Sequence, residues 1–168
     1  VHLRDVDDDC TDSLYFAEDQ TTYHIKKGKE GFVSSLAEHF PEERANLEAY
    51  VDAVHRLTDE VDLFYLRPSN DFFPVHSEEF NLAADAFIAK YIQNPKLRNV
   101  VAYMNPLYGG MADATPAYVH AIVSVLYMQG ASRFVGGSDR FAQLLVSVIE
   151  SAGGEVRYNE GAEWVEVN

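Results

Sequence analysis

The 168-residue sequence predicts an α+β chain, mainly helical, with a short N-terminal β-hairpin and C-terminal strands. Apolar residues recur at intervals of three and four through most of the middle of the chain, the signature of amphipathic helices. Near the start, two β-rich runs, Ser13-Leu14-Tyr15-Phe16 and Thr22-Tyr23-His24-Ile25, flank the polar Glu18-Asp19-Gln20, as in a hairpin. Near the end, Val156-Arg157-Tyr158 and Trp164-Val165-Glu166-Val167 follow a Gly153-Gly154 stop and read as strands.

Between these ends the elements follow one another in a legible order. Gly28 and Gly31 punctuate the chain after the hairpin, and Phe32, Val33, Leu36 and Phe40 mark one face of a short helix. Pro41 suits a first helical turn, with Glu42-Glu43 complementing its positive end. Leu47, Tyr50, Val51, Val54, Leu57, Val61 and Phe64 then predict one long amphipathic helix to about residue 66. Pro68 to Pro74, with Phe72-Phe73 inside it, is a break. Helical spacing returns at Phe80, Ala83, Ala84, Phe87, Ile88 and Tyr91, and again at Leu97, Val100, Val101 and Met104. After Gly109-Gly110, Thr115-Pro116 opens a helix that is apolar almost all round, interrupted only by His120 and Ser124, four residues apart on one face. Gly130 stops it, Phe134-Val135-Gly136-Gly137 makes a tight connection, and Ser138 or Asp139 caps a last helix with Phe141, Leu144, Leu145, Val148 and Ile149 as its stripe.

Composition bounds the function. With 47% hydrophobic and 24% charged residues, the chain is long enough to bury a core without disulfides or metal. Its formal charge is −14, which repels phosphate backbones and argues against nucleic-acid binding. Residues 1–92 carry −12, residues 93–149 carry +2 and residues 150–168 carry −4, so the middle block is both the least charged and the most apolar. Asp7-Asp8-Asp9 with Asp12 lacks the calcium-loop pattern and reads as a solvated turn. Cys10, the single cysteine, has no histidine near it in the chain and reads as an incidental thiol. No apolar run is long enough to span a bilayer and no signal segment opens the chain, so a cytoplasmic location is expected.

No phosphate-loop, dinucleotide, nucleophile-elbow or zinc-protease motif is present, and the six histidines show no metal-ligand spacing, so no metal is expected. No catalytic acid or base can be named. What remains is the helix at 116–128, either a central core helix or the lining of a cavity for an apolar ligand. Tyr108, His120 and Tyr127 are the candidate substrate-pocket residues, polar tips on apolar bodies in that neighbourhood, although core packing also accounts for them.

A succession of short motifs carries a resemblance. Tyr108-Gly109-Gly110, Pro116-Ala117-Tyr118, Tyr127-Met128-Gln129-Gly130, Gly136-Gly137-Ser138 and Ala152-Gly153-Gly154-Glu155-Val156 occur in an order similar to one region of a flavoprotein family. That family is the flavin oxidoreductases that include retinol saturases, carotenoid isomerases and phytoene desaturases. The Phe40-Pro41-Glu42-Glu43 helix start and the opening hairpin resemble it too. The resemblance implies an internal piece of a longer flavoprotein, with which the Val1 start agrees. Residues 1–150 would be the substrate-binding region and residues 151–168 strands returning to an incomplete FAD-binding domain. It further implies that Gly136, Gly137 and Ser138 pass close to the flavin ring and that the backbone at Ala162 meets the adenine of FAD. Val135 stands where the family usually has Pro, and Ala162 where it more often has Val.

By this resemblance the parent binds FAD and acts on a C=C bond of an apolar polyene or isoprenoid, with peripheral membrane contact. The fragment alone would hold no FAD tightly and would be inactive, and its exposed strand edges would favour a homodimer. The competing reading is a stand-alone, non-enzymatic helical module that binds an apolar ligand or a protein partner. A flavin amine oxidase segment is a weaker third, because the near-neutral 93–149 block offers little to recognise a basic substrate.

Overall fold

A computed structural model describes residues 2–5, 7, 9–68 and 75–167. The break expected around Phe72-Phe73 lies outside the described residues. Contacts divide the chain into two units, residues 6–131 and residues 1–5 with 132–168.

The first unit opens with the expected hairpin, β2 (Asp12–Phe16) against β3 (Thr21–Ile25), antiparallel with Asp12 opposite Ile25 and Phe16 opposite Thr21. Alternation sends Tyr23 and Ile25 inward, and Tyr23 stacks on Phe40 while meeting Phe16 edge-on. Helix α1 (Gly28–Ala37) buries Phe32, Val33 and Leu36. A 3-10 turn at Pro41–Glu43 leads into α2 (Arg44–Asp59), whose Leu47, Tyr50, Val51, Val54 and Leu57 form the centre of the core. The long helix expected to residue 66 stops at Asp59 and a separate 3-10 turn covers Asp62–Tyr65, its end marked by Leu66 at φ +53°. The three-and-four spacing of Val61 and Phe64 survives such a turn, so periodicity alone overran the helix end.

Helices α3 (Ala84–Tyr91), α4 (Pro95–Val101) and α5 (Ala117–Met128) complete this unit. The first-turn amides of α5 are met from outside the helix: Ala117 N donates to Leu82 O and Tyr118 N to Phe80 O, while Ala84 N donates to Thr115 O. This short pairing ties the starts of α3 and α5 together and satisfies groups that a helix start leaves without partners. Asn94 caps α4, its side chain accepting from Lys96 N and Leu97 N ahead of Pro95 in the first turn.

Helix α5 turns its polar residues inward. The sequence leaves it as either a core helix or the lining of a cavity, and its buried face carries the two polar residues, His120 and Ser124, with Ala117, Ala121, Val125 and Met128. Leu126 and Tyr127 are exposed. A polar face turns inward only where it finds partners there.

In the second unit, β1 (Leu3–Asp5) pairs antiparallel with β4 (Ser132–Phe134), and α6 (Ser138–Ser151) follows. Phe134 stacks on Phe141 of α6 at 4.8 Å. The stripe expected to be buried on α6 is largely open, with Val148 and Leu145 exposed. The strands expected at Val156–Tyr158 and Trp164–Val167 are not formed: after Gly153, at φ +84°, the chain is irregular and exposed. A strand needs a partner for its ladder, and among the described residues these segments have none. The mixed α+β class stands, with small sheets and far more helix than strand.

Candidate functional site

A buried polar cluster in the 6–131 unit surrounds His120. The imidazole is fully buried, and its Nε2 lies 2.7 Å from the Tyr50 hydroxyl on α2. Ser124, one turn along α5, places its Oγ 3.5 Å from the same nitrogen. On the other side, Nδ1 lies 3.4 Å from the Tyr108 hydroxyl, which donates to Asn105 Oδ1 at 2.6 Å. Because Tyr108 spends its proton on Asn105, it is free to accept from Nδ1–H, and Nε2 accepts from Tyr50. Burial lowers the His120 pKa to about 4 and pushes the Tyr50 phenol well above its ordinary range. The imidazole is therefore neutral at physiological pH and holds one proton between two phenols. Nearby, Tyr103 donates to Asp12 Oδ2, and burial followed by the adjacent carboxylate raises its phenol too.

Asn105 also lines an open groove of about 440 Å³ between α3 and α4, with Ile88, Ala89, Ala102 and Ala112 among its apolar walls and Asp85, Arg98 and Asn99 on its polar side. Of the pocket residues named from sequence, Tyr108 and His120 are brought together, whereas Tyr127 sits on the exposed side of α5. Tyr50 and Asn105 belong to the cluster without having been singled out. Tyr50 sits in the apolar stripe of α2, where its hydroxyl gave no sign of a partner 70 residues away.

The 1–5 and 132–168 unit holds the Gly136-Gly137-Ser138 turn. Gly136 and Gly137 have φ of +88° and +85°, a backbone region that side chains resist. A Cβ built on Gly137 meets nothing within 4 Å, so the demand there is conformational and the space in front of the turn is open. Residues 133–138 and Arg4 line a cavity of about 580 Å³. The lining joins the two bare glycines to the side chains of Arg4, Arg133, Phe134, Val135 and Ser138. Ala162 lies in the exposed, irregular chain after α6.

A separate cluster, this one ionic, is structural. Glu79, nearly buried, accepts from Arg56, Lys90 and Tyr91, tying the segment before α3 to α2 and to α3 itself. Burial opposes its charge, but the hydrogen bonds from Lys90, Tyr91 and Arg56 prevail and lower its pKa to about 2. The stability this carboxylate contributes is therefore present above its ordinary pKa and lost as pH falls toward 2. Glu79→Gln is expected to cost about 1–2 kcal/mol at pH 7 and to flatten the acid limb of a thermal-melting pH series.

Folding also alters the reading of Cys10: the hairpin brings His24 Nδ1 to 3.6 Å from its Sγ, with Ser13 Oγ 3.3 Å away. Among the described residues, no group of three or more histidine, cysteine or carboxylate side chains could hold a metal, and no helix is long and apolar enough to cross a membrane.

No family model and no solved structure matches the sequence. The chain is 27% identical over 148 residues to the all-trans-retinol 13,14-reductase of Rattus norvegicus, 25% over 151 residues to that of Homo sapiens, and 24% over 156 residues to that of Danio rerio. These alignments cover 80–83% of this chain but 24–25% of the relatives, so the chain spans about a quarter of the length of the curated relatives it matches. The chain is thus similar, over about four-fifths of its length, to part of the all-trans-retinol 13,14-reductases.

Proposed function

We propose that this chain is a segment of an FAD-dependent oxidoreductase that acts on a C=C bond of an apolar polyene or isoprenoid. The observation that carries the reading is the similarity to retinol 13,14-reductases along most of the chain. FAD, when bound by the longer protein, supplies the two-electron chemistry at the double bond. Residues 1–150 then serve substrate binding, and residues 151–168 lead toward the cofactor domain. The Gly136-Gly137 turn, open and without side chains, lets the main chain approach the flavin closely. Ser138 follows in the same turn, and Ala162 is the further backbone position on the cofactor side. In the helical unit, Tyr108 and His120 hold a proton beside the groove lined by Asn105, and Tyr127 presents its ring on the outer side of α5.

The test uses the full-length protein encoded by the source gene. It is expected to purify with a flavin released on denaturation, and, with its flavin reduced, to bleach the polyene absorbance of all-trans-retinol or a carotenoid. Gly137→Val is expected to lower flavin occupancy by about tenfold or more, since a β-branched residue resists positive φ. A full-length protein that neither carries nor takes up flavin would overturn the reading. A second reading, a stand-alone helical module for an apolar ligand, draws on the closed core of the 6–131 unit, whose described buried side-chain polar atoms all have partners. It predicts that the 168-residue chain alone binds retinoid saturably without any flavin.

A further inference from the structure

We infer that Arg4 and Arg133 form an anion site for a phosphate or pyrophosphate group. The two residues stand directly opposite one another in the β1–β4 pair, so their side chains leave the same face of the ribbon. Their strand neighbours divide the other way: Phe134 stacks on Phe141 of α6, and Ser132 bonds to Asp5. The arginines therefore project from the face that α6 does not cover. Like charges placed opposite each other across a strand pair are destabilising. In a chain with 27 acidic and 13 basic residues, a carboxylate partner would be easy to supply. Yet among the described residues neither Arg4 nor Arg133 makes an ion pair or a side-chain hydrogen bond, whereas Asp5, next to Arg4, is engaged by Ser132.

Both residues instead line the cavity of about 580 Å³ in front of residues 134–138. Two planar forks from one face of the ribbon match the several oxygens and double charge of a phosphate or pyrophosphate better than a single carboxylate, which one arginine satisfies. The ligand chemistry is thus a phosphoryl oxyanion, whether free or carried by a larger molecule. The site stands on the arginine pair and the cavity and does not rest on the flavin reading.

The experiment titrates inorganic pyrophosphate into the 168-residue chain by calorimetry at constant ionic strength. Wild type, Arg4→Gln, Arg133→Gln and the control Arg140→Gln are compared. Saturable binding by wild type and Arg140→Gln, weakened about tenfold or more in either of the other variants, is the expected result. Circular dichroism checks that each variant is folded. In low salt without pyrophosphate, Arg133→Gln is expected to melt about 1–2 °C higher than wild type, because a repulsion has been removed. Competition then identifies the source: displacement of pyrophosphate by FAD but not by riboflavin assigns the anion to a cofactor, and failure of both assigns it to another phosphate, either result retaining the site. Equal, non-saturating responses in all four proteins would overturn the proposal, as would an unchanged pyrophosphate affinity in both arginine variants.

Discussion

His120→Phe is expected to destabilise the 6–131 unit by about 3 kcal/mol, because it leaves the fully buried Tyr50 hydroxyl without the acceptor now 2.7 Å away. Tyr50→Phe alone is expected to cost about 1–2 kcal/mol, since the Ser124 hydroxyl, 3.5 Å from Nε2, remains to donate to the imidazole. The double variant should therefore cost less than the sum of the two singles, a coupling that urea denaturation measures directly. The same histidine sets a pH dependence with a definite sign. The unfolded chain takes up a proton near the ordinary 6.5, while burial holds the folded chain neutral down to about 4. Stability is thus complete above pH 6.5 and falls as the pH is lowered toward 4, by roughly 3 kcal/mol from this group. Carboxylates titrate over part of the same range, so the quantity to read is the difference between wild type and His120→Phe. Parallel pH curves for the two proteins would contradict a buried neutral imidazole.

Glu43→Leu carries the other large effect. Glu43 is 3% exposed, and its carboxylate accepts from the backbone amides of Gln93 and Asn94 and from the Asn46 side chain. A leucine there leaves two backbone donors and an amide without an acceptor at the entry to α4, an expected loss of about 3–4 kcal/mol. Glu43→Gln, which keeps one acceptor oxygen, should cost about half as much. Chemical denaturation with an unchanged denaturant slope is the check, and a leucine variant within 1 kcal/mol of wild type would refute the account.

Glu43 also shows where reading along the chain stops. Its place after Pro41 identified it as an acid at a helix start, which suits the positive end of that helix. Its backbone partners, Gln93 and Asn94, are 50 and 51 residues further on, and nothing local marks a carboxylate as the acceptor for a distant pair of amides. The elements themselves were legible because their causes are local. The period of Leu47, Tyr50, Val54 and Leu57, the Asn94-Pro95 cap, the Gly130 stop and the β-rich runs of the hairpin each act within a few residues.

Partners across the chain were a different matter. Tyr50 looked like one more apolar residue of α2, and only the packing of α2 against α5 turned its hydroxyl into the ligand of His120. Ser13 and Cys10 met His24 only once the hairpin closed. Arg4 and Arg133 are 129 positions apart and become a pair solely through the register of β1 on β4. The terminal strands failed in the opposite direction: Val156-Arg157-Tyr158 and Trp164-Val165 have strand-like composition, but a strand exists only with a neighbour to complete its ladder. Periodicity, caps and turns are properties of neighbouring residues and were written in the order of the amino acids. Burial, hydrogen-bond pairing and charge juxtaposition are properties of residues that meet, and the folded structure alone chose which ones did.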